Sequence, residues 1–118
     1  MTQTIDCRSI TGQTVSVPIE KMRFRSSVYG IIPHEDSLLL VRTRTTGLYA
    51  FPGGGIHLGE PIEAALLREI HEETGIQVSI EAFFFFSEDF FYFDLQDTGY
   101  HALLHFYLCK PLKTDLVP

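Results

Sequence analysis

Residues 68–75, REIHEETG, combine three glutamates and an arginine at spacings that bring side chains together on a helix. Glu69, Glu72 and Glu73 stand at i, i+3 and i+4, which are neighbouring positions on a helix surface. Three adjacent carboxylates repel one another unless a cation compensates, and Arg68 can neutralise one of them. The remaining negative charge suits a hard divalent cation such as Mg²⁺, which takes oxygen ligands and often shares itself with substrate phosphates.

The helical position of these glutamates favours the metal interpretation. Successive residues turn by about 100° around the helix axis. On this count the three glutamates lie on the same side of the helix, within about 60° of Glu69, as the apolar residues Ile62, Ala65 and Leu66. A typical surface helix carries its charges opposite its apolar stripe, and carboxylates that leave solvent need a partner or a metal. His71 falls on the other side of the helix and is predicted to be solvated. The alternative to a metal site is a solvated helix end at which the turn carrying the glutamates frays.

A helix over residues 61–74 is predicted to position this cluster. Pro61 suits the first helical turn, and Gly75 suits the left-handed residue that ends a helix. Three consecutive glycines at residues 53–55 precede the helix, and glycine lets the backbone approach a ligand closely. Such a loop could serve a metal or a phosphate, and a plain tight turn is the alternative.

The rest of the chain is rich in segments with the composition of strands. These segments, together with the one clearly predicted helix, indicate a mixed α and β fold. The predicted elements are a hairpin from residues 4–10 and 14–19, a central hairpin from 24–32 and 38–43, a glycine-rich loop over 44–60, a strand over 76–87, a hairpin or loop over 88–100 and a last strand over 101–112.

The amino-acid composition narrows the classes of protein to which this chain can belong. The 118 residues fit one domain, residues 1–118, and the net charge of −6 argues against a binder of nucleic acid polymers. Cys7 and Cys109 are expected to be reduced thiols, since no CxxC or Cys/His cluster is present. We find neither a signal peptide nor a run apolar enough to cross a membrane, so a cytoplasmic protein is expected.

At this point the chain resembles the Nudix hydrolases. Their signature has nine specified positions over the 23 residues 54–76, and this sequence matches every one: Gly54, Glu60, Arg68, Glu69, Ile70, Glu72, Glu73, Gly75 and Ile76. The resemblance implies an α/β/α sandwich with a mixed β-sheet. The family usually adds a C-terminal helix, and the chain ends at Pro118, so that helix is expected to be missing, supplied by a partner or lost by truncation.

The resemblance also implies an activity: Mg²⁺-dependent hydrolysis of a phosphoanhydride bond in a nucleoside diphosphate linked to another group, with Mn²⁺ as a second candidate metal. Glu69, Glu72 and Glu73 are then expected to bind metal, with the carbonyl of Gly53 as a candidate further ligand. Arg68 is expected to orient a glutamate, and Glu60 and Gly75 to support the site.

The catalytic set implied by the resemblance comprises Arg68 and the three glutamates, with Glu69 as the first candidate for the general base. A carboxylate on a later loop is the alternative base. Asp89, Asp94 and Asp97 are the nearest candidates there, and solvated turn residues are the simpler interpretation of all three.

Several residues are candidates for contact with substrate, each with a structural alternative. The arginines of the central hairpin could clamp phosphates or line a solvated strand face. The aromatic run at residues 83–93 is expected to pack mainly in the core, with one or two rings at the pocket and residues 87–89 as a polar break. The candidates are Arg25, Arg42, Arg44, Phe51, Gly54 and Tyr92.

The expected binding partner is a small nucleotide-like diphosphate. No contact with a membrane is expected. A homodimer is a further expectation. The rival hypothesis is a Nudix-like nucleotide-binding or regulatory module without turnover. The intact set of glutamates argues against this rival, because a binder has no need of three carboxylates, while the doubtful C-terminal helix argues for it.

Overall fold

The structure, a computed structural model, describes residues 3–44 and 47–112 and has the mixed α/β architecture predicted from the sequence. These residues form ten strands, one α-helix and two short 3-10 helices, Ile19–Lys21 and Asp94–Gln96. The helix α1 spans Ile62–Thr74. The strands are β1 (Thr4–Arg8), β2 (Thr14–Pro18), β3 (Met22–Ile31), β4 (Pro33–His34), β5 (Ser37–Leu38), β6 (Val41–Arg42), β7 (Tyr49–Ala50), β8 (Gly53–Gly55), β9 (Val78–Phe93) and β10 (Thr98–Pro111).

Six of the strands form a mixed sheet in the order β2-β1-β9-β10-β3-β8. The pairs β1–β2 and β3–β8 are antiparallel, whereas β1 runs parallel to β9. Two small antiparallel ladders, β4–β5 and β6–β7, lie in the connection between β3 and β8. This arrangement confirms the expected mixed sheet.

The chain divides into two compact units, and the long strands contribute to both. The first unit, Met1–Ser26 with Phe86–Leu104, contains the predicted hairpin of β1 and β2. Its buried apolar residues include Cys7 and Val17. The expectation of one domain over residues 1–118 stays a prediction.

The second unit, Ser27–Phe85 with His105–Pro118, contains α1 and the main apolar core. One face of α1 packs on β3, β9 and β10, which is what its apolar stripe predicts. At Gly30 of β3, a Cβ would lie only 2.8 Å from Cδ1 of Ile70, so the helix packs closely against this strand. The buried cluster consists of Val28, Ile32, Ala65, Leu66, Ile70, Val78 and Cys109.

The predicted central hairpin is only partly right, because just its turn end forms: Pro33–His34 pairs with Ser37–Leu38, and the N–H of Leu39 donates to the carbonyl of Ile32 at 3.1 Å. Residues 24–32 lie in β3 and its neighbourhood, but β3 pairs with β8, from the segment that we expected to be a loop. Residues 38–43 instead contribute to the two small ladders. Glycines disfavour strands on propensity, so β8 cannot be recognised without its partner.

The aromatic run also differs from expectation. Strand β9 continues through residues 87–89, so the predicted polar break does not interrupt it. Its four consecutive phenylalanines, residues 83–86, are all about half exposed and are not core residues. Side chains along a strand alternate between two faces, so exposure at four successive positions means that both faces are open here.

The described residues contain α1 as their one α-helix, and residues 113–118, where a C-terminal helix would begin, lie outside them. No helix in the described ranges is long and apolar enough to cross a membrane. Cys7 and Cys109 are both buried and free. Burial raises the pKa of the Cys109 thiol to about 11.

Candidate active site

Helix α1 begins and ends where the sequence predicts. Pro61 is the residue before the first helical turn. Gly75 takes the left-handed conformation with φ 73°, and its N–H donates to the carbonyl of His71 at 2.8 Å. The Thr74 hydroxyl donates to the Ile70 carbonyl at 2.6 Å and accepts from the N–H of Ile76 at 3.1 Å. These bonds hold the helical turn that carries the last two glutamates.

A fork of hydrogen bonds joins this helix to the loop before it. Arg68 Nε donates to Glu60 Oε2 at 2.7 Å, and Arg68 Nη2 donates to Glu60 Oε1 at 2.9 Å. Nη2 also donates to the carbonyl of Gly55 at 3.1 Å. Glu60 Oε1 accepts from the backbone N–H of His57 at 3.1 Å. Glu60 therefore fixes the loop, and Arg68 fixes the loop to the helix.

The remaining nitrogen of Arg68 faces the acidic cluster. Nη1 donates to Glu69 Oε1 at 3.0 Å and lies 3.3 Å from Glu72 Oε2. The contact between Arg68 and Glu72 joins positions i and i+4 of the helix. It is the weaker one, because the Glu72 side chain is 57% exposed whereas that of Glu69 is 16% exposed. Charge-assisted bonds from a guanidinium hold a carboxylate in place.

The glycines of β8 are packed against the glutamates. A Cβ at Gly54 would lie 2.8 Å from the carboxyl carbon of Glu69, so only a residue without a side chain allows this carboxylate its position. The N–H of Gly53 donates to Glu73 Oε1 at 2.9 Å. Strand β8 and the acidic part of α1 therefore form one cluster, which we call the glutamate site: Gly53, Gly54, Gly55, Glu60, Arg68, Glu69, Glu72 and Glu73.

The expectation that all three helix glutamates follow the buried stripe is only partly right. Glu69 is largely covered, but Glu72 and Glu73 are exposed residues in the last turn of the helix. His71 is exposed, as predicted. The glutamate site therefore opens to solvent at the end of α1, where the negative pole of the helix adds to the negative charge.

Charge in the glutamate site is unbalanced. Hydrogen bonds from Arg68 lower the pKa of Glu60 to about 2, and the Glu60 carboxylate in turn raises the pKa of Arg68. Although Glu73 is an exposed residue overall, partial desolvation of its carboxyl raises its pKa, and the charges of Glu69 and Glu72 raise it further, while the bond from Gly53 opposes them. Loss of water and the two neighbouring negative charges therefore both disfavour the charged form of this carboxyl.

The Glu60 carboxylate should make the stability of the protein depend on acid pH. Its folded pKa lies near 2, below the ordinary value of 4.5, so its contribution is complete above about pH 4.5 and is lost as the pH falls through about 2. We expect Glu60→Gln to lower the melting temperature near neutral pH, and the difference from wild type to shrink steadily between those two values. Melting curves followed by circular dichroism measure this, and a difference independent of pH would contradict the assignment.

The donor set suits a hard divalent cation in its chemistry. All of its side-chain donors are carboxylates, which are preferred by Mg²⁺ and Mn²⁺, and a cation would relieve the repulsion that Glu69 and Glu72 exert on Glu73. In the present arrangement, no three carboxylate, imidazole or thiol side chains of residues 3–44 and 47–112 are grouped so that they could share one ion. Glu72 would therefore have to turn from Arg68, and Glu73 from the N–H of Gly53, to share one ion with Glu69.

The candidates for substrate contact are more dispersed. Arg42 donates from Nε to the Gly47 carbonyl at 3.2 Å, and Arg44 is exposed. Phe51 is partly buried and meets Phe106 edge to face at 6.2 Å between ring centroids. Of the candidates in the second unit, Arg42, Arg44, Phe51 and Gly54, only Gly54 is part of the glutamate site.

Two further candidates belong to the first unit. Arg25 is an exposed residue of β3. The Tyr92 hydroxyl donates to Asp97 Oδ1 at 2.7 Å, and Asp97 also accepts from Lys21 at 2.6 Å. This structural network was not expected from the sequence, because Lys21 is 76 residues away from Asp97 in the chain.

The loop contacts of Arg68 were also missed by sequence reasoning. The carbonyl of Gly55 and the N–H of His57 take part through the backbone, so no residue type marks them. The only sign of these contacts in the sequence was the spacing of eight residues between Glu60 and Arg68, which is part of the matched signature.

Comparison with known proteins identifies the family. A family model described as the NUDIX domain matches residues 23–118, which is most of the chain. The chain belongs to the Nudix hydrolase family. The resemblance drawn from residues 54–76 is thereby confirmed, and these residues are its Nudix box.

Curated relatives of this Nudix chain are similar over about half its length. An ADP-ribose pyrophosphatase of Methanocaldococcus jannaschii is 42% identical over 53 residues, which cover 42% of this chain and 31% of the relative. A MutT-like protein of Streptomyces ambofaciens is 41% identical over 56 residues, covering 47% and 36%. The matched part therefore spans about a third of these relatives.

A solved structure supports the fold of this Nudix chain. The MutT NUDIX hydrolase from Burkholderia pseudomallei aligns with a TM-score of 0.61 and 26% identity, over 79% of this chain and 75% of that one. The Nudix-type α/β fold with a mixed sheet is thus confirmed.

Proposed function

We propose that this Nudix protein is a Mg²⁺-dependent pyrophosphohydrolase that cleaves a phosphoanhydride bond in a nucleoside diphosphate linked to another moiety. The observation that carries the proposal is the glutamate site, in which Glu69 lies against Gly54, Glu73 binds the N–H of Gly53, and Arg68 holds both the loop and Glu69. The ADP-ribose pyrophosphatase and MutT-like relatives support a nucleotide-type substrate.

Glu69, Glu72 and Glu73 would hold the metal, with the carbonyl of Gly53 as a further oxygen donor. Bound there, the cation would neutralise phosphate charge and polarise the attacked phosphorus. Mn²⁺ has the same preference for carboxylate oxygen and could substitute. The open end of the glutamate site at Glu72 leaves room for an anionic substrate to approach.

Glu69 is the proposed general base. Its carboxylate would take a proton from a water molecule as the water oxygen bonds to phosphorus. The phosphorus–oxygen bond of the anhydride then breaks, and the departing phosphate keeps the electron pair. Arg68 is a positioning residue, because its bond to Glu69 keeps this carboxylate against Gly54.

Substrate contacts are proposed for the exposed arginines and the aromatic residues identified from the sequence. Arg25, Arg42 and Arg44 carry guanidinium groups suited to phosphate oxygens. Phe51 lies two residues before Gly53, so its ring is the nearest in sequence to the glutamate site and could contact a base. Tyr92 is proposed as a further contact.

A panel of substrates with and without Mg²⁺ tests the function. The panel comprises nucleoside triphosphates, oxidised purine nucleotides, ADP-ribose, nucleotide sugars and dinucleoside polyphosphates, each also assayed with Mn²⁺ and with a chelator. We expect at least one to be cleaved with release of phosphate-containing products, and the chelator to stop cleavage. Products separated by chromatography identify the bond that breaks.

The rival function would give a different result from the same panel. A nucleotide-binding or regulatory module would bind one of these compounds, seen as a rise in melting temperature, and would cleave none. Binding without cleavage in the presence of either metal would therefore overturn the proposed hydrolase.

A further inference from the structure

The sheet of the first unit bends over one of its own faces. β2 and β10 are three places apart in the strand order, and strands that far apart in a flat sheet would be about 14 Å from each other. A Cβ at Gly99 of β10 would nevertheless lie only 3.0 Å from Cγ1 of Val17 in β2. Ile5 of β1 is the register partner of Val17, so its side chain lies on the same concave face.

The concave face contains a pocket of about 180 Å³. Its walls come from β1, the 3-10 helix at Ile19–Lys21, β3, β9 and β10, and every residue in them belongs to the first unit. A dry apolar cavity of about 150 Å³ can hold benzene, so the pocket is large enough for one aromatic ring. The lining includes Ile5, Met22, Arg23, Phe24, Phe90 and His101.

Three rings of this lining form a row across neighbouring strands. The ring centroids of Phe90 in β9 and His101 in β10 are 4.4 Å apart, with an interplanar angle of 24°. The His101 centroid lies 4.9 Å from that of Phe24 in β3, at 32°. Aromatic rings attract a further ring in offset or edge-on contact, and the Met22 thioether is another favourable neighbour of an aromatic group. The walls therefore favour an aromatic ligand over a saturated one of the same size.

Arg23 gives the pocket a positive charge. Its Nη1 donates to the carbonyls of Glu20 and Met22 at 3.0 and 2.8 Å. In the part of the chain that the structure describes, no carboxylate forms an ion pair with this guanidinium. His101, the other ionisable group of the lining, is already paired, because its Nε2 lies 2.7 Å from Glu88 Oε2. A ligand group that carries negative charge would therefore complement Arg23.

We propose that this pocket binds a small molecule that combines one aromatic ring with an anionic group, such as an aromatic carboxylate. The ring would lie against Phe24 and Phe90, and the anionic group would face Arg23. The pocket is smaller than the roughly 300 Å³ from which sites for larger ligands begin, so a whole nucleotide does not fit. The pocket and the glutamate site belong to different units, and the proposal does not depend on the proposed hydrolase function.

Nuclear magnetic resonance titration of the full chain with benzoate tests the proposal. We expect saturable shifts of the backbone amides around the lining residues, with a Kd of about 1 mM or lower, as suits a ligand of so few atoms. Benzamide keeps the ring but has no charge, and cyclohexanecarboxylate keeps the charge but has no aromatic ring. Each should bind about threefold or more weakly than benzoate, because each lacks one of the two features.

Two substitutions separate the two contacts. Phe24→Ala should weaken benzoate binding about fivefold or more by removing one ring of the row, and it should fold because the side chain is 78% exposed. Leu95→Ala is its matched control, since Leu95 is 80% exposed in the same unit and lies outside the lining. Arg23→Gln should weaken benzoate binding to the level of benzamide and leave benzamide binding unchanged.

Three kinds of result would overturn the proposal. Shifts that do not saturate, or that centre on residues outside the lining, would show that the pocket holds no aromatic anion. Equal affinity for the three probes would show that neither the ring nor the charge is recognised. Equal effects of Phe24→Ala and Leu95→Ala would remove the ring contact. Benzoate contains no phosphoanhydride bond, so none of these results bears on the proposed hydrolase.

Discussion

Glu73→Gln is expected to reduce hydrolysis by about 100-fold or more while leaving the protein as stable as wild type or more stable. The activity should fall because an amide is a poorer metal ligand than a carboxylate. The stability should not fall, because glutamine keeps an oxygen that can accept from the N–H of Gly53. Steady-state rates and melting curves with a chelator present measure the two effects separately.

The sign of the stability effect follows from the pKa of Glu73. Burial raises the folded pKa above its ordinary value, so the charged form is less favourable in the folded protein than in the unfolded chain. Stability from this group is therefore lost as the pH rises through its folded pKa, and removing the charge restores it at neutral pH.

Glu63→Gln is the matched control for Glu73→Gln. Glu63 is an exposed residue in the first turn of the same helix, away from the glutamate site. It should keep its activity and lose a little stability, because a negative charge near a helix N-terminus is favourable. Equal activity of Glu73→Gln and wild type would remove Glu73 from the catalytic set.

Three alanine substitutions in β8 are expected to separate folding from catalysis. Gly53→Ala should destabilise the protein by about 2 kcal/mol or more, since its Cβ would lie 2.1 Å from the carbonyl oxygen of Val28 at a φ of 154°. Gly54→Ala should remain folded and lose activity, because its Cβ would meet the flexible carboxylate of Glu69.

Gly55→Ala is the control within the same strand. A Cβ there meets no described atom within 4 Å, and the carbonyl that binds Arg68 is kept, so stability should change by a few tenths of a kcal/mol at most. Urea denaturation and the hydrolysis assay on the three variants give the comparison. Equal losses of stability at Gly54 and Gly55 would contradict the contact with Glu69.

The helix and its glutamates were predictable because their signals are local. Pro61 and Gly75 mark the ends of α1 through backbone preferences, and the spacing of the glutamates places them on one side. Family resemblance added Glu60 and Arg68 to the candidate residues, and the structure shows that the two are bonded to each other. Each of these signals lies within one short segment of the sequence.

What the sequence could not predict depends on partners that are distant in the chain. Strand β8 exists because β3 is beside it, and its glycines by themselves look like a turn. The phenylalanines of β9 look like core residues, since apolar composition does not tell whether another element covers a strand. Glu72 is exposed although it follows the apolar stripe, which periodicity alone cannot show.

The fork between Arg68 and Glu60 has a consequence for motion. It spans eight residues of chain and also reaches Gly55, so the loop and the middle of α1 are joined by side-chain bonds as well as by the backbone. Opening the loop must then break the bonds that orient Glu69, and fraying of the helix back to Arg68 must release the loop. Loop and helix therefore behave as one cooperative unit, and a local fluctuation that disorders either one disorders the other.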